Sequence, residues 1–111
     1  MTSRVLALMV TAAVGLGLAA QGALGEGWTA SEDLSATGQT ASWPQVAVDS
    51  SGVVTAVWRR SNGSNDIVQA SRFSGSSWQS PVNLSATGQD ALLPQVAVDA
   101  SGVAAAVWYR S

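Results

Sequence analysis

The stretch PQVAVDSSGVVTAVW, residues 44–58, decides the fold, because it returns fifty residues later as PQVAVDASGVAAAVW, residues 94–108. The match continues on both sides: at this spacing, residues 28–61 and 78–111 are identical at 22 of 34 positions. Such a period is typical of units that bury their apolar surface by stacking against neighbouring copies. We therefore interpret the chain as two copies of one unit, with a predicted core of four recurring tryptophans, namely Trp28, Trp58, Trp78 and Trp108.

Each unit has the pattern of short antiparallel strands separated by turns. In the first copy, QVAVD after Pro44 alternates valines with polar or small residues. The turn from Asp49 to Gly52 combines a carboxylate that bonds its own backbone with a glycine for positive φ. The second strand, Val53 to Arg60, is apolar on both faces, which predicts burial between two layers. The remaining predicted elements are a third strand over Ile67 to Phe73, a fourth from Trp78 to Pro81, and a connection over residues 82–93.

Four-stranded antiparallel units of about 40 to 50 residues with recurring tryptophan and glycine are typical of β-propeller blades. A lone sheet that is apolar on both faces leaves apolar surface in water unless similar sheets stack against it. The alternatives are a β-sandwich, which does not require a strict repeat of this length, and a β-solenoid, whose coils are usually shorter. We predict an all-β fold of four-stranded antiparallel propeller blades, and we find no helical period after residue 25.

The first 25 residues have the pattern of an export leader. Arg4 precedes a run from Val5 to Ala20 in which 13 of 16 residues are apolar and none is charged. A membrane-spanning helix needs about 20 such residues. The small residues Ala23 and Gly25 suit a leader peptidase. We predict a signal peptide over residues 1–25 and a secreted or cell-surface protein without a stable membrane anchor after cleavage; the alternative is an uncleaved anchoring helix.

The predicted strands divide the remaining chain into three parts. Residues 26–43 are the outer strand, over Glu26 to Ala30, and the connection of a preceding or closing blade. Residues 44–93 are a complete blade with its connection, and residues 94–111 are an incomplete second blade. This makes about 1.75 blades, whereas propellers typically need four to eight to close. We predict an incomplete propeller from the N-terminal part of a longer protein. The alternative is a two-blade lectin that oligomerises into a closed ring, and in both cases closure needs further blades or other copies.

The composition excludes several classes of function. The chain has no cysteine and no histidine, which excludes zinc fingers, thiol nucleophiles, disulfides and Ser-His-Asp triads. After residue 25, four arginines stand against seven acidic residues, unlike the basic footprint of a nucleic-acid-binding protein. Asp49 and Asp99 each give one carboxylate to a turn, too few for a calcium site. We predict no cofactor, no metal, no catalytic residue and no nucleic-acid partner.

Residues 71–78, SRFSGSSW, resemble the Asp-box of bacterial sialidase-like propellers, whose pattern is Ser-x-Asp-x-Gly-x-x-Trp between the third and fourth strands. Ser71, Gly75 and Trp78 fit this pattern, but Phe73 replaces the aspartate, so the motif is degenerate. The repeat as a whole looks like exported β-propeller repeat proteins of bacteria. This resemblance implies a propeller fold in which the motif stabilises a turn away from any active site. The arginine triad, acidic residue and Tyr-Glu pair of the sialidase-like enzymes have no matching set here.

The best candidates for ligand contact lie near the ends of the repeated strands. Trp43 does not recur, because Leu93 takes its place; the alternative to an exposed contact there is an apolar exchange within a buried connection. Side chains that follow the second strand of each copy would present guanidinium and phenol groups at one rim to carboxylates or sugars; the alternative is surface ion pairing. The candidate contact residues are Trp43, Arg59, Arg60, Tyr109 and Arg110. We predict an exported, non-catalytic binding protein with a glycan or protein ligand; the alternative is a fragment of a sialidase-like glycoside hydrolase.

Overall fold

The chain folds into antiparallel β-sheets. The computed structural model describes residues 6–7 and 27–111, and no helix occurs within them. The strands of this described part are β1 (Leu6–Ala7), β2 (Glu32–Asp33), β3 (Ala41–Val48), β4 (Val54–Ser61), β5 (Asp66–Ser74), β6 (Ser77–Trp78), β7 (Val82–Asn83), β8 (Ala91–Val98) and β9 (Ala104–Arg110). The all-β, antiparallel prediction is confirmed. The predicted signal peptide over residues 1–25 lies outside the described residues, apart from the two that form β1.

The complete copy of the repeat forms one sheet whose strands follow each other in chain order. The order is β3-β4-β5-β6, and β7 also pairs with β5. The second copy contributes a separate two-stranded sheet of β8 and β9, and β1 pairs with β2. The two copies have the same register, since Ala41 lies opposite Arg60 just as Ala91 lies opposite Arg110.

The first strand of each copy contains a bulge that the sequence pattern did not reveal. β3 starts at Ala41, before the strand predicted to follow Pro44. Its pairing with β4 shifts by one residue after Ser42, where Trp43 takes a φ of 56°. Leu93 has a φ of 52° at the corresponding place in β8. Proline has no N–H to give to a ladder, and the extra residue of a bulge lets each strand continue past it.

The fourth strand path runs further than predicted. β6 places Trp78 opposite Phe73, and β7 places Val82 opposite Ala70, so one extra residue lies in the path between them. β6 ends before Pro81, as predicted, but Val82 and Asn83, predicted as part of the connection, form β7 and pair with β5 again. Pro81 lies in the interruption, where its missing N–H breaks no ladder bond, and the chain returns to β5 directly afterwards.

The N-terminal strand predicted over Glu26 to Ala30 is reduced to an isolated bridge at Trp28. Glu26 lies outside the described residues. The predicted burial of Trp28 is wrong, because its side chain is exposed. Trp28 corresponds to Trp78, which is half-buried because it packs against the core of the first sheet. Identical residues in the two copies therefore have different surroundings.

The β4 strand is covered on both faces, as its apolar sequence predicts. On one face, Trp58 packs in a cluster with Leu34, Ala41 and Ala56. The other face, which carries Val57, lies against the β8–β9 hairpin, and β8 packs over β3, β4 and β5. The second copy of the repeat thus stacks on the sheet formed by the first.

The predicted role of the repeated aspartates as turn caps is confirmed. One carboxylate oxygen of Asp49, Oδ1, accepts the backbone N–H of Ser51 at 2.8 Å and that of Val53 at 3.0 Å. Asp99 makes the same two bonds in the second copy, at 2.8 and 2.9 Å. Gly52 has a φ of 86°, a conformation that costs L side chains energy.

Candidate functional site

A cleft lies between the first sheet and the β8–β9 hairpin in the described part of the chain. Its volume is about 390 Å³. Small side chains on the hairpin help to open it, because Ala104 replaces the valine that the first copy has at Val54. The residues that line this inter-sheet cleft are Thr55, Val57, Ala70, Arg72, Gln79, Ser80, Val82, Leu84, Val96, Ala104, Ala106 and Trp108.

Arg72 is the charged group of the inter-sheet cleft. Its Nε donates to the hydroxyl of Thr55 at 3.2 Å, and its Nη2 donates to the carbonyl oxygen of Gly102 at 3.1 Å. The bond to Gly102 ties the first sheet to the β8–β9 hairpin, and the bond to Thr55 holds the guanidinium on the first sheet. In the part of the chain that the structure describes, the ion pair is between Arg59 and Asp66, so Arg72 has no carboxylate partner there. A guanidinium beside an apolar wall has the chemistry to bind a carboxylate or phosphate.

An indole faces the same space. Trp108 is half-buried and lines the inter-sheet cleft together with the aliphatic Val82 and Leu84. Gln79 and Ser80 add polar groups at the break of the fourth strand path. Mostly apolar walls with a few polar groups are typical of small-molecule sites, and a flat indole offers a surface for a ring.

A second group of charges lies at the end of the sheet where β3 begins and β4 ends. Arg59 places its Nε 3.5 Å from Oδ2 of Asp66 and donates from Nη2 to the hydroxyl of Ser42 at 3.2 Å. Asp90 accepts the backbone N–H of Asp66 at 2.8 Å and the side-chain amide of Asn65 at 3.2 Å, both on Oδ1. We call these four, Arg59, Asn65, Asp66 and Asp90, the rim cluster.

Asp90 is held in its charged form by the rim cluster. The backbone N–H of Asp66 is the main cause that lowers the pKa of the Asp90 carboxyl below its ordinary 3.8, and the Asn65 amide and the charge of Arg59 act in the same direction. Desolvation opposes them; it is smaller than the effect of either hydrogen bond and larger than that of the Arg59 charge. Because the folded pKa is depressed, this carboxylate contributes stability above pH 3.8 that is lost as the pH falls through the folded pKa.

We expect Asp90→Asn to reduce the acid sensitivity of the fold. The stability advantage of wild type over this variant should be constant near neutral pH and should shrink as the pH falls below 3.8. Thermal unfolding over a pH series measures it. Asp90→Thr, which installs the residue of the first copy at Thr40, also lacks a carboxylate and should show the same pH course. An advantage that stays constant to the acid limit of folding would contradict the coupling.

The sequence-predicted contact residues fall into two groups at corresponding ends of the two hairpins. Trp43 and Tyr109 are exposed, as expected for contact residues. Arg60 instead donates from Nη2 to the carbonyl oxygen of Thr37 at 3.0 Å, and Arg110 makes the corresponding contact with Thr87 at 3.5 Å. Both arginines therefore hold the LSATGQ loop of their own copy. Arg59 belongs to the rim cluster.

Sequence reasoning missed Arg72 and the position of Trp108 in the lining of the inter-sheet cleft. The sequence does contain a signal for Arg72. Val68, Ala70 and Arg72 are alternate residues of one predicted strand, so their side chains share one face of β5. A charged side chain on a face with two apolar neighbours is unusual enough to mark a candidate site. For Trp108, no local pattern shows which layer its indole meets.

No protein-family model, curated protein or solved structure matches the chain. Among the described residues, no helix is long and apolar enough to cross a membrane. The same residues contain no group of three or more histidine, cysteine, aspartate or glutamate side chains placed to hold a metal ion.

Proposed function

We propose that the chain is an exported, non-catalytic β-propeller repeat segment of an extracellular binding protein. The antiparallel sheet of β3 to β7 follows chain order as a propeller blade does, and the next copy of the repeat begins by stacking on it. The leader-like residues 1–25 support export. In this proposal, residues 94–111 start a further blade of the same kind.

The ligand of this segment, in our proposal, is a small carboxylated molecule such as an acidic sugar, bound in the inter-sheet cleft. The observation that carries this proposal is Arg72, a guanidinium that has no carboxylate partner in the described residues and lies in a mostly apolar cleft. Arg72 would bind the carboxylate and Trp108 would pack against the ring. Gln79 and Ser80 would supply hydrogen bonds for hydroxyl groups.

Titration of the ¹⁵N-labelled full chain with glucuronate, followed by the indole N–H resonances, tests this proposal. We expect saturable shifts of the Trp108 resonance, identified by Trp108→Phe, and none with glucose at equal concentration. Arg72→Met should weaken binding about tenfold or more, because it removes a charge-assisted bond. Arg110→Met is the matched control, since this exposed guanidinium lies outside the cleft.

Two results would overturn the ligand proposal. One is equal binding of glucose and glucuronate, because the carboxylate would then not be recognised. The other is retained glucuronate binding in Arg72→Met with an unchanged backbone spectrum. That spectrum is needed because Arg72 also joins the first sheet to the β8–β9 hairpin through its bond to Gly102.

A further inference from the structure

Two apolar surfaces at opposite ends of the stacked sheets are exposed among the residues that the structure describes. One, the head face, is formed on β3 by Pro44, Val46 and Val48, which are all exposed. The other, the tail face, is formed on β9 by Ala105, Val107 and Tyr109, which are also exposed. We propose that the tail face of one copy of this chain binds the head face of a second copy, in a head-to-tail arrangement.

In the second copy of the repeat, the surface that corresponds to the head face is already covered by stacking within the chain. The second copy carries the same residues as the head face, at Pro94, Val96 and Val98. There, Pro94 is buried and the two valines are half-buried, because β8 lies on the first sheet. The same three side chains are therefore covered in one copy and open in the other.

For the tail face the order is reversed: the corresponding surface is covered in the first copy and exposed in the second. Val57 of the first sheet is 0% exposed beneath the stacked hairpin, whereas Val107 at the corresponding place is 63% exposed. Thr55 is likewise buried, and its counterpart Ala105 is exposed. The contacts of β8 are mainly with β3 and β4 and fewer with β5. The β8–β9 hairpin therefore reproduces most of the surface that receives a head face.

The two faces are both apolar, so they can pack against each other without water between them. Neither face carries a charged side chain. The Val46 side chain is 66% exposed, so covering it removes apolar surface from water. Covering such side chains is favourable by about 25 cal/mol per Å² of apolar surface. The two faces differ from each other, so the contact is heterologous: a given copy can bind one neighbour at each end. This inference rests on the stacking and not on the cleft ligand.

Sedimentation velocity of the 111-residue chain tests the inference. Wild type should form larger species as its concentration rises. Val46→Asp and Val107→Asp each place a carboxylate in one face, and each should weaken self-association about a hundredfold or more. Ser76→Asp, in the exposed β5–β6 turn, is the matched control and should associate like wild type. Val48→Asp in the head face and Tyr109→Asp in the tail face, also at exposed positions, serve if a first variant fails to fold.

A mixture of the two single variants is the decisive test of the head-to-tail arrangement. Val46→Asp keeps an intact tail face and Val107→Asp an intact head face, so an equimolar mixture should form a one-to-one dimer and nothing larger. A mixture that stays monomeric under conditions where wild type associates would overturn the proposal. So would a wild type that is monomeric at every concentration. Association that survives either single variant would show pairing elsewhere, such as along the β9 edge, and would overturn it as well.

Discussion

Replacing Trp58 with alanine is expected to lower the free energy of unfolding by about 3 to 5 kcal/mol. The Trp58 side chain is fully buried, and its Nε1 donates to Oε1 of Gln69 at 3.2 Å. Truncation leaves a cavity beside Leu34 and Ala56 and removes the hydrogen bond to Gln69. Typical domains are stable by about 5 to 15 kcal/mol, so the loss is a large fraction of the total. Denaturant unfolding followed by circular dichroism measures it.

The chain offers a matched control for this substitution. Trp108 is the same residue at the same place in the second copy, but it is half-buried at the inter-sheet cleft. We expect Trp108→Ala to cost clearly less, because part of the indole already contacts solvent. Equal losses at the two positions would contradict the unequal burial of the two copies. A near-zero loss at Trp58 would contradict its place in the core.

Val57→Asp is expected to prevent folding, with a loss of about 4 kcal/mol or more. Val57 is among the fully buried side chains, between the first sheet and the hairpin stacked on it. A carboxylate there loses its hydration, and Arg72, which lines the same cleft, is already bonded to Thr55 and Gly102. Soluble yield and the circular dichroism spectrum report the outcome.

Val107→Asp is the control, with the identical change at the corresponding position of the second copy. Val107 is exposed, so the carboxylate stays hydrated and the stability should change little. A folded Val57→Asp protein would contradict the stacking of the hairpin on the first sheet. An unfolded Val107→Asp protein would show that the tail face is covered within the chain itself.

The strands were largely predictable because their determinants are local. Alternating valines after Pro44 and the doubly apolar Val53 to Arg60 run set the first two strands. The aspartate turn caps followed from the bonding capacity of Asp49 and the conformational freedom of Gly52. Gly75 likewise has a positive φ, 73°, in the turn predicted between the third and fourth strands. Each of these features depends on residues a few positions apart.

The bulges and the cleft depend on partners distant in sequence. The shift after Ser42 appears only when β3 is aligned with β4, and the break at Pro81 only when the fourth strand path is aligned with β5. Arg72 acquires its role from Gly102, which belongs to the other copy. A repeat shows that copies will stack, but it does not show which face of one meets which face of the next.

Thiol accessibility at equivalent positions tests the stacking of the second copy on the first most directly. The chain has no cysteine, so Val46→Cys and Val96→Cys each introduce a single thiol at the same place in the two copies. In dilute solution, where copies do not meet, the Val46→Cys thiol should react rapidly with Ellman's reagent. The Val96→Cys thiol should react clearly more slowly, because this side chain is half-buried where the hairpin lies on the first sheet. Equal rates in two folded variants would contradict the stack.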